Sequence, residues 1–164
     1  MATVTKRSPM SQFRVLSPIH QANRQASLHI DGLLADLSVT AQEGQLLAFV
    51  SARDGVPVTA ILRLLGVPKS TVTSLLKRLE NAGLTHRRSN PEDARSWLVF
   101  ATTRGRRMGA VARERVLDFE RRILAHLAQA DLDALVRIVD AVSAETGINL
   151  PAEAPRRQDS QGGR

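Results

Sequence analysis

Between positions 69 and 78 the chain gathers hydroxyls and cations: Lys69, Ser70, Thr71, Thr73, Ser74, Lys77 and Arg78, with no acid among them. Short hydroxyls can donate and accept hydrogen bonds at base edges, and long cations can reach phosphate oxygens. The combination suits the major groove of double-stranded DNA. A second group follows close behind, with Arg87, Arg88 and Arg95 around Asp93. Positions 69 to 107 hold nine Lys or Arg against three acids, within a chain of net charge +7. A solvated basic surface is the ordinary reading of such a run. It gives way here because the cations fall where an anion-binding element would need them.

Catalytic chemistry finds no comparable constellation. His20, His29, His86 and His126 are scattered, and His20 and His29 are nine positions apart, not the four that would place a metal pair on one helical face. No HExxH, Gly-x-Ser-x-Gly, phosphate-binding glycine loop or paired carboxylates occur. The expectation is a protein that is not an enzyme and uses no metal or cofactor. With no cysteine, disulfides and thiol-based oxidation sensing are excluded. No run of eighteen apolar residues suggests a membrane span. The first residues carry Lys6, Arg7 and Pro9 but no apolar segment of a signal peptide, so a cytoplasmic location is expected.

The hydroxyl and cation face needs a helix to present it. Val72, Leu75, Leu76 and Leu79 recur at helical spacing and form the opposite, apolar stripe. Gly83 follows where a helix end needs a left-handed residue. Residues 84–88 and 97–101 then read as two strands, joined by the loop chemistry of Ser89-Asn90-Pro91-Glu92-Asp93. Upstream, residues 58–65 form a short apolar helix stopped by Gly66, and Val67-Pro68 turns the chain into the next helix. Val56 is placed as a very short strand beside the hairpin. Thr40-Ala41-Gln42-Glu43 is a capping box opening another helix to about Val50, and Arg53-Asp54-Gly55 is a turn.

Read together, this stretch resembles the MarR family (multiple antibiotic resistance regulators). LLGVPKSTVTSLLKRLENAGLTHR is similar to that family's helix-turn-helix and the entry to its wing. NPEDAR is similar to its wing tip, with an Asp-x-Arg pair at Asp93 and Arg95. ATTRGRR resembles the threonine-x-x-glycine start of the helix leaving the wing. Two positions depart from the pattern: Pro68 stands where a hydroxyl N-cap is usual, leaving Ser70 or water to serve the first N–H groups, and Ala101 stands where leucine is common.

The fold class expected is mainly α: a winged helix-turn-helix with a two- to three-stranded β-wing, flanked by N- and C-terminal helices forming a dimerisation region. Residues 1–17 read as a flexible arm and 151–164 as a disordered tail. Between them, residues 18–147 form the MarR-type domain, with a DNA-binding core at 56–102. Helices at 19–37 and 103–146 carry wide apolar faces that a small winged domain cannot cover. The second span breaks near Asp131, after a helix from Thr103 to about Leu127 that Thr102 caps, and Gly147 ends the last helix. The resemblance implies that these helices pair two subunits, burying Leu33, Leu37, Leu135, Val139 and Val142 between them.

The same resemblance implies a transcriptional regulator, a repressor, binding a pseudo-palindromic operator as a homodimer and released by a small aromatic or amphipathic effector. The DNA-binding residues are then Lys69, Ser70, Thr71, Thr73, Ser74, Lys77, Arg78, Arg87, Arg88, Asp93 and Arg95. His86, beside Arg87-Arg88, is placed near the phosphates. Leu28, Leu37, Phe49 and Trp97 could line an effector pocket, but core packing is the stronger reading, and Trp97 is expected to pack the hairpin onto the motif. No ligand site is assigned. A winged-helix interaction module without specific DNA binding stands as the alternative.

Overall fold

A computed structural model describes residues 13–91 and 93–148, the side chains of Ala94 and Arg95 excepted. Most of the expected arm, the expected tail and Glu92 of the wing lie outside the described residues. The chain begins with α1 (Leu16–Leu33), earlier than Pro18 suggested. Proline in a first helical turn is tolerated because its missing N–H would lack an intrahelical acceptor anyway. A 3-10 turn (Ala35–Leu37) follows, in place of the continuous helix expected to residue 37, and Ser38 closes it at φ 56°.

The capping box forms as expected. Thr40 Oγ1 accepts the Glu43 N–H, the Glu43 carboxylate accepts the Thr40 N–H, and α2 (Ala41–Ser51) starts there. A further cap comes from α1: the Ala41 N–H donates to Asp31 Oδ1 at 2.6 Å. Gly55 then turns the chain at φ +84°, and a β carbon there would come 2.8 Å from Phe100 Cζ, so glycine is required twice over.

Next come β1 (Val56–Pro57), α3 (Val58–Leu65) and α4 (Lys69–Asn81). No side chain caps α4, so Ser70 does not supply the acceptor that Pro68 lacks. At its other end Gly83 N–H bonds to Glu80 O and Leu84 N–H to Leu79 O, both at 2.9 Å. This is the paired arrangement in which a left-handed residue satisfies the last free carbonyls, with buried Leu79 and Leu84 giving its apolar contact.

The wing is longer than residue types suggested. Strands β2 (Thr85–Asn90) and β3 (Asp93–Ala101) leave only two residues between them, so Ser89, Asn90 and Asp93 belong to strands, and Leu84 precedes the first. Ladder bonds form between backbones. Exposed strand positions can therefore carry Arg, Ser and Asn without the apolar alternation that marks a half-buried strand. The sheet runs β1-β3-β2, with Val56 opposite Val99 and Arg87 opposite Val99 on the other side.

Thr102 caps α5 (Thr103–Leu124), accepting the Gly105 N–H at 3.0 Å and donating to Gly83 O at 2.9 Å. That helix stops three residues short of the expected Leu127. The Ala128 N–H turns instead to the Asp131 carboxylate at 2.8 Å, and α6 (Gln129–Thr146) begins there. Apolar spacing carried on across this break, which is why periodicity alone overran it. Gly147 ends α6 at φ +65°.

The core lies between α2, α3, α4, β3 and α5. Leu46, Leu47, Val50, Ile61, Val72, Leu76, Leu79 and Val99 are essentially inaccessible. Helices α2 and α5 approach closely because Gly44 and Gly109 stand at their contact: a β carbon at Gly109 would lie 2.5 Å from Ser51 Oγ. Neither α1 nor α6 contains a buried residue.

Candidate nucleic-acid interface

Helix α4 buries Val72, Leu75, Leu76 and Leu79 against the core, and the helical period then turns the hydroxyls and cations outward. Lys69, Ser70, Thr73, Ser74, Lys77 and Arg78 are exposed, and Thr71 is half-buried. The Thr73 hydroxyl donates to Lys69 O at 2.9 Å, so its oxygen keeps acceptor capacity while its proton is committed to the backbone.

The cations divide into two kinds. Lys69, Lys77 and Arg88 are exposed and pair with no acid among the described residues. Arg88 lies 5.2 Å from the centre of the Phe100 ring, within cation–π range. Arg78 and Arg87, also expected among the phosphate contacts, pair with acids of this same domain. Arg78 Nε is 2.9 Å from Glu43 Oε1 on α2. Arg87 grips Glu80 with two bonds of 2.6 and 2.8 Å, tying β2 to the end of α4. Glu43 and Glu80 are the residues that sequence reasoning missed. The capping box marked Glu43, but its second partner lies 35 positions away. Glu80 could have been flagged, since the turn at Gly83 folds it back toward Arg87.

At the wing tip, Asn90 pairs with Asp93 across the hairpin. Ser96 Oγ donates to the Asp93 carbonyl and accepts from Asn90 Nδ2, each at 3.0 Å. Asp93 thus takes part in closing the tip through its backbone. Arg95 belongs to β3, with its side chain outside the described residues.

His86 is not turned to solvent. It is half-buried, stacked on Phe100 with ring centres 5.5 Å apart and 14° between planes. Trp97 also departs from expectation, being 50% exposed. It pairs with Ser89, closer to the wing tip than the buried Val99 and Ala101 of the same strand. With Glu80, Thr85, His86 and Arg87 it borders an open surface concavity of about 570 Å³. The other pocket candidates are dispersed. Leu28 stands exposed on α1, while Leu37 and Phe49 lean on the chain's own core.

The end helices display apolar side chains. Leu135, Val136 and Val139 on α6 are each more than half exposed, and Val142 is half-buried. Arg115 of α5 binds the Leu33 carbonyl at 2.6 Å and the Asp36 carboxylate through both terminal nitrogens, fastening α5 to the α1–α2 junction. That guanidinium holds the Asp36 carboxyl below its usual range. Also across α1 and α5, His29 packs on Phe119 with centres 4.5 Å apart. No helix among the described residues is long and apolar enough to cross a membrane.

Two consecutive short helices packed on the core, the second presenting hydroxyls and cations, and a basic hairpin define a winged helix-turn-helix fold. Residues 37–96 match the model of the MarR family. Solved structures share the architecture. MepR of S. aureus in a DNA complex superposes with a TM-score of 0.71 at 19% identity, over 78% of this chain and 94% of that one. A mutant MarR of E. coli with operator DNA gives 0.70 at 23% identity, over 82% and 98%. CouR of Rhodococcus jostii bound to p-coumaroyl-CoA gives 0.67 at 18% identity, over 81% and 94%. No curated protein sequence matches the chain significantly.

Proposed function

We propose that this protein is a transcriptional repressor that binds a pseudo-palindromic operator in double-stranded DNA as a homodimer. The observation that carries the reading is α4: its apolar face is inside the core, and its outward face offers Lys69, Ser70, Thr73, Ser74 and Lys77. With its proton committed, Thr73 would read a base-edge donor. Ser70, Thr71 and Ser74 would supply further hydrogen bonds, and Lys69, Lys77 and Arg88 would meet phosphates. Arg95, in the second strand of the wing, would enter a narrow minor groove.

Pairing of α1 and α6 with a second copy would cover Leu135, Val136 and Val139. It would also set two recognition helices roughly 34 Å apart, one turn of DNA. MepR and MarR structures that contain DNA support the first part of this reading, and CouR with p-coumaroyl-CoA supports release by a small aromatic or amphipathic effector. Such a regulator works in the cytoplasm.

The test is a gel-shift against DNA upstream of the chain's own coding region, with competitor, across a salt series. Specific binding should weaken by a log–log slope of about −0.9 per phosphate neutralised. Thr73→Ala should cost about 1–3 kcal/mol of discrimination at one position of each half-site, while non-specific binding is kept. Salt-independent binding, or none, would leave a winged-helix interaction module in its place.

A further inference from the structure

Arg78 stands among the cations of α4, yet its guanidinium is committed to an acid of another helix. Nε lies 2.9 Å from Glu43 Oε1, and a terminal nitrogen lies 3.4 Å from Oε2. The two partners are unlike: the Arg78 side chain is 61% exposed and that of Glu43 only 3%. The Glu43 carboxylate also closes the box at the start of α2, taking the Thr40 N–H at 2.9 Å and the Thr40 hydroxyl at 3.0 Å. A buried charge persists only when it is paired and its lone pairs are satisfied. Arg78 is the cation that pairs with this one, and Thr40 completes the set. Within the span of that box, the Ala41 N–H donates to Asp31 of α1. Three helices therefore meet in one polar joint, which the recognition helix enters through Arg78.

We propose that Arg78 is a positioning residue and not a DNA contact. With Glu43 it bolts α4 to the N-terminus of α2 and sets the angle at which Ser70, Thr73 and Ser74 meet base edges. The inference rests on the reading that α4 binds duplex DNA. It also assigns Glu43 a part in operator recognition from a place that touches no DNA. A shift of α1 against α2 would reach the recognition helix through this joint.

Two substitutions isolate the bolt. Glu43→Gln keeps the oxygen that closes the box, because glutamine serves at that position of a capping box, but removes the charge. Arg78→Gln removes the cation. Each should weaken binding to the selected operator by on the order of tenfold, and the double variant should be no weaker than the worse single one, since both remove the same interaction. The salt slope should stay at the parental value in all three. The proposal is overturned if Arg78→Gln lowers that slope by about 0.9 while Glu43→Gln leaves affinity intact or raises it, as a phosphate-bound Arg78 requires. Hydrogen exchange across residues 69–81 without DNA gives an independent reading. Equally faster exchange in both single variants, and no more in the double, supports the bolt, whereas parental protection in either one refutes it. If the parent chain shows no salt-dependent binding to duplex, the DNA reading falls, and exchange still decides the bolt.

Discussion

Leu76 and Leu135 are the same residue on two amphipathic helices, yet one is 1% exposed and the other 54%. The difference is in what each helix meets. Helix α4 lies against α3 and the sheet, and every turn of its apolar stripe has a neighbour, so the winged unit closes its core within one chain. Helix α6 extends from the end of α5 and buries nothing. Apolar pattern alone therefore does not distinguish a core from an exposed face. A stripe becomes core when the chain folds back on it, and otherwise stays open to solvent.

Four experiments would break or sharpen this contrast. The largest effect belongs to Leu135→Asp. On a face covered by a second subunit it buries an unpaired carboxylate, and the chain should become monomeric or unfold, which light scattering and circular dichroism would report. On a face left in water the change should fall within about 0.5 kcal/mol, and a parent that scatters as a monomer at micromolar concentration would abolish the proposed dimer.

Leu76→Ala is the matching test of the closed core. A fully buried leucine should cost about 2–5 kcal/mol in urea unfolding, whatever α6 does. Gly105→Ala comes next. A β carbon there would sit 1.9 Å from the Leu84 carbonyl oxygen, so α5 must move off the wing. Unfolding should show about 1–3 kcal/mol lost, with more expected than from an ordinary helical glycine, where alanine is favourable.

The smallest effect concerns Asp36 and Arg115. The folded carboxyl titrates below its ordinary value of 3.8, so the pair's contribution is complete above that value and fades as pH falls through the lower folded one. Asp36→Asn should lower the melting temperature slightly at pH 7 and converge with the parent in strong acid. The pair is exposed, so the change should be small. A difference between the two proteins that persists at the lowest pH would show that the carboxylate is held by something other than its charge.

Much of the fold was legible in the residues. The stripe of α4, the stops at Gly66 and Gly83, the Thr40–Glu43 box and the Thr102 cap all depend on groups within about five positions of one another, so spacing and residue type were enough. The exposed hydroxyl face of α4 followed from the same period. The wing's length did not follow, because backbone pairing through Ser89 and Asn90 leaves no apolar alternation. Trp97 was misjudged too, because residue type alone could not show that it stays half exposed toward the wing tip.

By itself, then, the sequence determined which helices and turns form and which side of each is apolar, because those are matters of local hydrogen bonding and period. Only the tertiary structure decided that Arg78 faces Glu43, that Arg87 faces Glu80, and that Gly105 must lack a side chain. Each of these depends on atoms brought together by packing from distant parts of the chain, and no spacing rule reaches that far.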